Sequence, residues 1–105
     1  MKYGVLGTGN VARTIANKLI ELGYEVMMGS RSDNNPAAIL WAAQNGERAS
    51  RGTFADAAEF GERVFCCVQG IHTLEALQTA GKEHLAGKIL IDLSNPFLHK
   101  DGNTS

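Results

Sequence analysis

Residues 2–12, KYGVLGTGNVA, join a short apolar run to two closely spaced glycines. The apolar run predicts a buried strand, and the glycines predict a tight turn directly after that strand. From Val11 to Leu22 apolar residues recur at helical spacing, and Gly23 suits the C-terminal end of such a helix. A strand, a glycine turn and an amphipathic helix in this order are typical of an α/β fold.

The same alternation continues along the chain. Further apolar segments predict strands at residues 24–29, 49–54, 63–68 and 88–93. Helical segments between consecutive strands require right-handed crossovers, so we predict a doubly wound parallel sheet of Rossmann type with strand order 3-2-1-4-5. The flavodoxin-like order 2-1-3-4-5 is the alternative, and the glycine pattern disfavours it. The predicted domain covers residues 1–97, and a polar tail follows at 98–105.

Capping residues mark the predicted helices. Asn35 and Pro36 predict the start of one helix, as its cap and its first residue. Thr53 and Asp56 have the spacing of a capping box and predict the start of a short helix. A further apolar set predicts one continuous helix that stops at Gly87, and this set comprises Leu74, Leu77 and Leu85.

The glycine turn, Gly7-Thr8-Gly9-Asn10-Val11-Ala12, matches the dinucleotide-binding fingerprint and lies between a strand and a helix, as the fingerprint requires. Gly7 permits the sharp turn, and Gly9 lets a pyrophosphate approach the backbone. Ala12 replaces the third glycine, where helix and strand pack closely. The start of the helix offers amide groups and a positive dipole end to the phosphates. We therefore predict nucleotide binding by residues 7–11, with a ligand-free structural turn as the alternative.

The end of the second predicted strand indicates which dinucleotide would bind. In this type of site an Asp or Glu holds the 2'-hydroxyl of NAD, whereas an Arg accommodates the 2'-phosphate of NADP. The sequence has Ser30, Arg31 and Ser32 here, which can all donate hydrogen bonds to a phosphate. Asp33 would favour NAD if it turned inward. We predict NADP, and a solvated polar loop is the alternative.

These residues resemble a known family. KYGVLGTGNVARTIANKLIELGYEVMMGSRS and LAGKILIDLSNPF are similar to segments of NADP oxidoreductases that depend on a deazaflavin coenzyme. The same domain type occurs in pyrroline-5-carboxylate reductases and in the cytoplasmic part of six-transmembrane metalloreductases. The resemblance, which runs from Met1 to Phe97, implies that NADP(H) binds across the carboxyl edge of the sheet. It also implies that Ser30 and Arg31 hold the 2'-phosphate, and that the nicotinamide side is lined by Val68, Gln69, Asn95 and Pro96.

The predicted function is therefore an NADPH-dependent oxidoreductase, or its dinucleotide-binding half, with a flavin-like, deazaflavin-like or other small-molecule electron acceptor. Family members are usually longer, and their second half completes the substrate pocket, so the resemblance implies that this chain is short for complete activity. A noncatalytic NADP(H)-binding or sensing module is the alternative. No catalytic residue is predicted, since His72 fits either a proton donor or an exposed histidine in the first turn of a helix.

Composition excludes several classes of protein. The formal net charge of -1 and the absence of a basic stripe argue against nucleic acid as a partner, and no apolar run approaches the length of a membrane span. The adjacent Cys66 and Cys67 cannot link distant segments, which favours packing roles and a reducing cytoplasm. Trp41 is predicted to be a core or interface aromatic, and a homo-oligomer is compatible with the sequence. The spacing of His, Cys and Asp predicts no metal site.

Overall fold

The computed structural model describes residues 1–68, 70–85 and 87–92, with the backbone only at 70–74, 82 and 92. Strands and helices alternate along the chain. The elements in chain order are β1 (Lys2–Leu6), α1 (Asn10–Glu21), β2 (Glu25–Ser30), α2 (Pro36–Asn45), a 3₁₀ turn (Gly46–Arg48), β3 (Ala49–Thr53), α3 (Phe54–Phe60), β4 (Arg63–Cys66), α4 (Gly70–Ala80), α5 (Lys82–Leu85) and β5 (Ile89–Asp92).

The strands form one parallel sheet in the order β3-β2-β1-β4-β5, which confirms the predicted topology and excludes the flavodoxin-like order. Leu6, the last residue of β1, pairs with Gly29 on one side and with Cys66 on the other. The three central strands therefore end at nearly the same level. Because the strands are parallel, the segments that follow them gather at this carboxyl edge.

Alternation along the strands divides the core between the two faces of the sheet. In β1, Val5 belongs to one core and Leu6 to the other. The first core packs against α1 and α2 and contains Tyr3, Val5, Ala12, Ala16, Leu19, Ile20, Val26, Met28, Ala38 and Trp41. The second packs against α3, α4 and α5 and contains Leu6, Phe54, Ala57, Ala58, Val64, Ala76 and Ala80.

The predicted caps of α2 and α3 are confirmed. Asn35 accepts a hydrogen bond through Oδ1 from the Ala38 amide at 3.1 Å. Thr53 and Asp56 form the reciprocal capping box, in which each side chain accepts from the other residue's backbone amide at 3.1 and 3.0 Å. Trp41 is 3% exposed and donates through Nε1 to Asn17 at 2.8 Å, so it is a core aromatic.

The prediction of one continuous helix up to Gly87 is wrong, because the helix breaks at Gly81. This glycine has φ +93°, a left-handed conformation that ends α4 before α5 begins. His84 lies in the separate α5, and its Nδ1 lies 2.8 Å from the Ala80 carbonyl oxygen. The imidazole is therefore within hydrogen-bond distance of a carbonyl at the end of α4, where basic side chains commonly bond the last carbonyls of a helix.

The fourth strand is also shorter than predicted. It ends at Cys66 because its partner β1 ends at Leu6, whose carbonyl accepts from the Cys67 amide at 2.9 Å as the chain leaves the sheet. Residues 93–97 of the predicted domain and the polar tail at 98–105 lie outside the described residues. Within the described part of the chain, no helix is long and apolar enough to cross a membrane.

Candidate functional site

A cleft of about 310 Å³ opens at the carboxyl edge of the sheet. It lies where β1, β2 and β4 end, which is the position at which doubly wound folds bind ligands. Segments from five parts of the chain line it, namely Gly7, Thr8, Gly9, Ser30, Arg31, Asn35, Phe54, Cys67, Val68 and Glu75.

Two glycines of the β1–α1 turn line this cleft for different physical reasons. Gly7 has φ +126°, and a Cβ there would lie 3.3 Å from the carbonyl carbon and oxygen of Cys67. Gly9 has an ordinary φ of -79°, and a Cβ there would meet no atom of the described residues within 4 Å. The fold therefore requires glycine at position 7, whereas the open space at Gly9 leaves the backbone accessible from the cleft.

The start of α1 differs from the starts of the two helices that follow. The side chains of Asn35 and Thr53 cap α2 and α3, but no side chain in the described part of the chain caps α1, whose N-cap is Gly9. The first turn of α1, like that of α2, contains no acidic residue. Its amide groups and positive dipole end are thus available at the cleft, which is the arrangement that binds phosphate groups.

Arg13 was not predicted to interact with the start of α1, and it does not line the cleft. Its guanidinium reaches back along α1, donating to Asn10 Oδ1 at 2.6 Å and to the Gly9 carbonyl at 3.4 Å. Side chains in helices lean toward the N-terminus, so a cation four residues after the turn was the signal that could have indicated it. Asn10 and Val11, which were predicted, do not line the cleft, and Val11 is 51% exposed. Their contribution to the site is the backbone at the helix start.

At the end of β2, Ser30 is the one buried polar residue within the described core, with 4% exposure. Its hydroxyl donates to the carbonyl oxygen of Ser32, and Ser32 Oγ donates to Asn34 Oδ1 at 2.8 Å. Both hydroxyls thus fix the loop that carries Arg31. Of these three predicted residues, Ser30 and Arg31 line the cleft and Ser32 does not.

Asp33, the residue that would favour NAD, is exposed and is not among the residues that line the cleft. Its carbonyl oxygen instead accepts a hydrogen bond from Nη1 of Arg51 in β3. Arg51 was not predicted to take part. It ties the loop after β2 to the neighbouring strand.

Arg31 makes an ion pair across the cleft. Its Nη2 lies 2.6 Å from Oε1 of Glu75 in α4, and the two side chains are 64% and 53% exposed. Glu75 was not predicted, because the two residues are 44 positions apart and only the tertiary fold brings α4 to the end of β2. The cleft therefore contains one cation and one carboxylate in direct contact.

The predicted nicotinamide side is described in part. Val68 lines the cleft together with Cys67, which was predicted only as a packing residue. Gln69, Asn95 and Pro96 lie outside the described residues. The backbone of His72 lies in the first turn of α4, as predicted, and its side chain is outside the described part. Among the described residues, no group of three or more His, Cys, Asp or Glu side chains could hold a metal ion.

The model of the family described as NADP oxidoreductase, coenzyme F420-dependent, matches residues 2–96. The chain belongs to this family. The family's description names NADP, which agrees with the cofactor predicted from Arg31 and from the missing carboxylate at the end of β2. As a member of this family, the chain is an NADP-type Rossmann domain of an oxidoreductase.

Individual relatives agree with this membership. A solved structure from Arthrobacter sp. FB24, described as an F420-dependent NADP reductase, is 40% identical with a TM-score of 0.82, over 91% of this chain and 46% of that one. The rat metalloreductase STEAP3 is 34% identical over 90% of this chain and 18% of its own length. An imine reductase from Bacillus cereus is 25% identical with a TM-score of 0.73, over 94% of this chain and 33% of that one. The chain thus spans less than half the length of each of these relatives.

Proposed function

We propose that the cleft at the carboxyl edge of the sheet binds NADP(H) and that the domain presents this dinucleotide for hydride transfer to a flavin-like, deazaflavin-like or other small-molecule acceptor. The observation that carries the proposal is the pairing of an open glycine turn at Gly9 with a guanidinium at the end of the adjacent strand. These are the two places where a Rossmann domain recognises the pyrophosphate and the 2'-phosphate.

The pyrophosphate would lie over Gly9 at the start of α1. The space that a Cβ would occupy there is open, and the helix amides that follow have no side-chain cap. Arg13 holds a positive charge at the same helix end. The residues present therefore fit a diphosphate, because the uncapped amides and the positive dipole end of α1 lie beside the open space at Gly9.

The 2'-phosphate would bind Arg31. The guanidinium is more than half exposed, so it can turn toward a ligand, and the loop beneath it is fixed by Ser30 and Arg51. The exposed position of Asp33, away from the cleft lining, supports NADP over NAD.

Bound NADPH supplies the hydride, and the domain's part is to hold and orient it. We propose that Val68, Gln69, Asn95 and Pro96 line the nicotinamide end. An NMR titration with NADPH tests this assignment, since the amide signals of Gln69 and Asn95 should shift together with those of Gly7 and Arg31. Shifts confined to Gly7 and Arg31 would show that only the adenosine half is held.

The function is tested by calorimetric titration of the chain with NADPH and with NADH, followed by NADPH oxidation with flavin, deazaflavin and ferric acceptors. We expect tighter binding of NADPH than of NADH. Binding with turnover on one acceptor identifies the reaction, and binding without turnover on any of them favours the noncatalytic module. Failure to bind either dinucleotide contradicts the proposal.

Our proposed location is the cytoplasm, where NADPH and reduced cysteines would both be maintained.

A further inference from the structure

Glu75 forms an ion pair with the Arg31 guanidinium, which is the group that we propose binds the 2'-phosphate of NADP(H). Nη2 of Arg31 and Oε1 of Glu75 are 2.6 Å apart, which is a charge-assisted hydrogen bond rather than a distant attraction. Both residues line the cleft. A phosphate that binds this guanidinium must share it with the carboxylate or displace it.

Charge favours displacement over sharing. A phosphate and a carboxylate on one guanidinium are like-charged neighbours, and such neighbours repel each other. NADH has no 2'-phosphate to bind the guanidinium, so NADH can bind in the cleft while the ion pair stays intact. Glu75 should therefore weaken the binding of NADPH and leave the binding of NADH unchanged.

We propose that Glu75 is a specificity-determining residue, a carboxylate that competes with the 2'-phosphate for Arg31 and so narrows the preference for NADPH over NADH. This inference rests on the proposed function. The exposure of the pair sets the size of the effect, because exposed ion pairs are weak and a phosphate can displace them. Glu75 should then reduce the preference about two- to fivefold without reversing it.

The test is calorimetric titration of the chain and its Glu75→Gln variant with NADPH and NADH at one low salt concentration, because salt screens exposed charges. Glutamine keeps the shape and removes the charge. The variant should bind NADPH about two- to fivefold more tightly and NADH with unchanged affinity.

Glu21→Gln is the matched control. Glu21 also forms an exposed ion pair, at 3.1 Å with Lys18, and the two side chains are 65% and 68% exposed. This pair lies at the opposite end of α1 from the cleft, about 16 Å along the helix. The control removes the same charge from the protein, so it should leave both affinities unchanged if Glu75 acts locally.

Combining Glu75→Gln with Arg31→Ala separates competition from simple repulsion. Without the guanidinium there is nothing to compete for, so the gain in NADPH affinity from Glu75→Gln should fall below about twofold in this background. An equal gain in both backgrounds would show long-range repulsion alone and would overturn the proposal.

The remaining outcomes separate this proposal from the proposed function. The unmodified chain could prefer NADPH while Glu75→Gln binds NADPH no more tightly than the unmodified chain does. Glu75 would then position Arg31 or have no role. This result would disprove the competition and leave the proposed function intact. A gain of the same size for NADPH and NADH also disproves it. If the unmodified chain binds neither dinucleotide, the proposed function fails and the competition with it.

Discussion

Gly9 and Gly4 are glycines of the same strand–turn–helix unit, but the space around them differs. A Cβ at Gly9 would meet no atom of the described residues within 4 Å, whereas a Cβ at Gly4 would overlap the backbone carbonyl of Ala57 in α3. Gly29 in the neighbouring strand resembles Gly4, since its Cβ would lie 2.8 Å from the Cβ of Ala57. One glycine leaves space open to the cleft, and the others let a helix pack directly on the sheet.

This difference separates a glycine that the packing of the fold requires from one that the packing does not require. Where protein atoms fill the missing side chain's place, the glycine is explained by the fold. Where ordinary dihedral angles and empty space would accept alanine, packing does not explain the glycine, and a role in capping the helix or in binding a ligand does. Gly9 belongs to the second kind, and it lies at the start of an uncapped helix. The predictions that follow test this separation.

Gly9→Val should have the largest effect on binding. The branched side chain would fill the space proposed for the pyrophosphate, so NADPH binding should fall below detection in a calorimetric titration. The fold should survive, since the φ of -79° suits valine and loss of the glycine N-cap costs below about 1 kcal/mol. Undiminished NADPH affinity in a folded variant would contradict the role given to this turn.

Gly4→Ala should have the largest effect on stability. The added methyl must push α3 off the sheet, and overpacking of this kind typically costs about 1–3 kcal/mol in free energy of unfolding. Urea denaturation measures the loss. Gly9→Ala is the matched control, because the same added atom meets open space and should cost below about 1 kcal/mol. Equal losses in both variants would remove the distinction between the two glycines.

Arg31→Ala should weaken NADPH binding about 10- to 150-fold, from loss of a charged contact of about 1.5–3 kcal/mol. NADH has no 2'-phosphate, so its affinity should hardly change. Arg31→Asp should narrow or reverse the preference, because it repels the phosphate and offers the ribose an acceptor. Dissociation constants for both dinucleotides at one salt concentration measure this. Equal weakening of both would show that the guanidinium is no phosphate ligand.

Ser30→Ala should have a smaller effect than Arg31→Ala on binding, and it should lower both stability and NADPH affinity. Its hydroxyl is buried and holds the loop through the Ser32 carbonyl, so its loss should cost about 0.5–1.5 kcal/mol of unfolding free energy. NADPH affinity should fall by a comparable amount. Ser32→Ala is the control, since Ser32 is exposed and outside the cleft lining, and should change both quantities less. A larger loss of NADPH affinity in Ser32→Ala than in Ser30→Ala would contradict the greater role that we assign to Ser30.

Much of the fold could be predicted because its signals are local. The caps at Asn35 and Thr53 act within four residues, and apolar runs predict buried strands directly. The glycine turn between strand and helix favours the observed order of the central strands. Local signals failed where neighbouring elements set the outcome. The conformation of Gly81 and the end of β4 at Cys66 depend on packing and pairing that spacing does not record.

For the site, the sequence by itself determined the turn at Gly7 and Gly9 and the guanidinium at the end of β2, because both follow from residue type at a fixed distance from a strand. Only the tertiary structure decided that Glu75, on a helix 44 residues away, contacts Arg31, and that Arg51 supports the loop from the adjacent strand. It also decided that Gly9, unlike Gly4, has open space beside it. The physical reason is that a contact between distant segments depends on how the whole sheet and its helices pack, which no short stretch of sequence encodes.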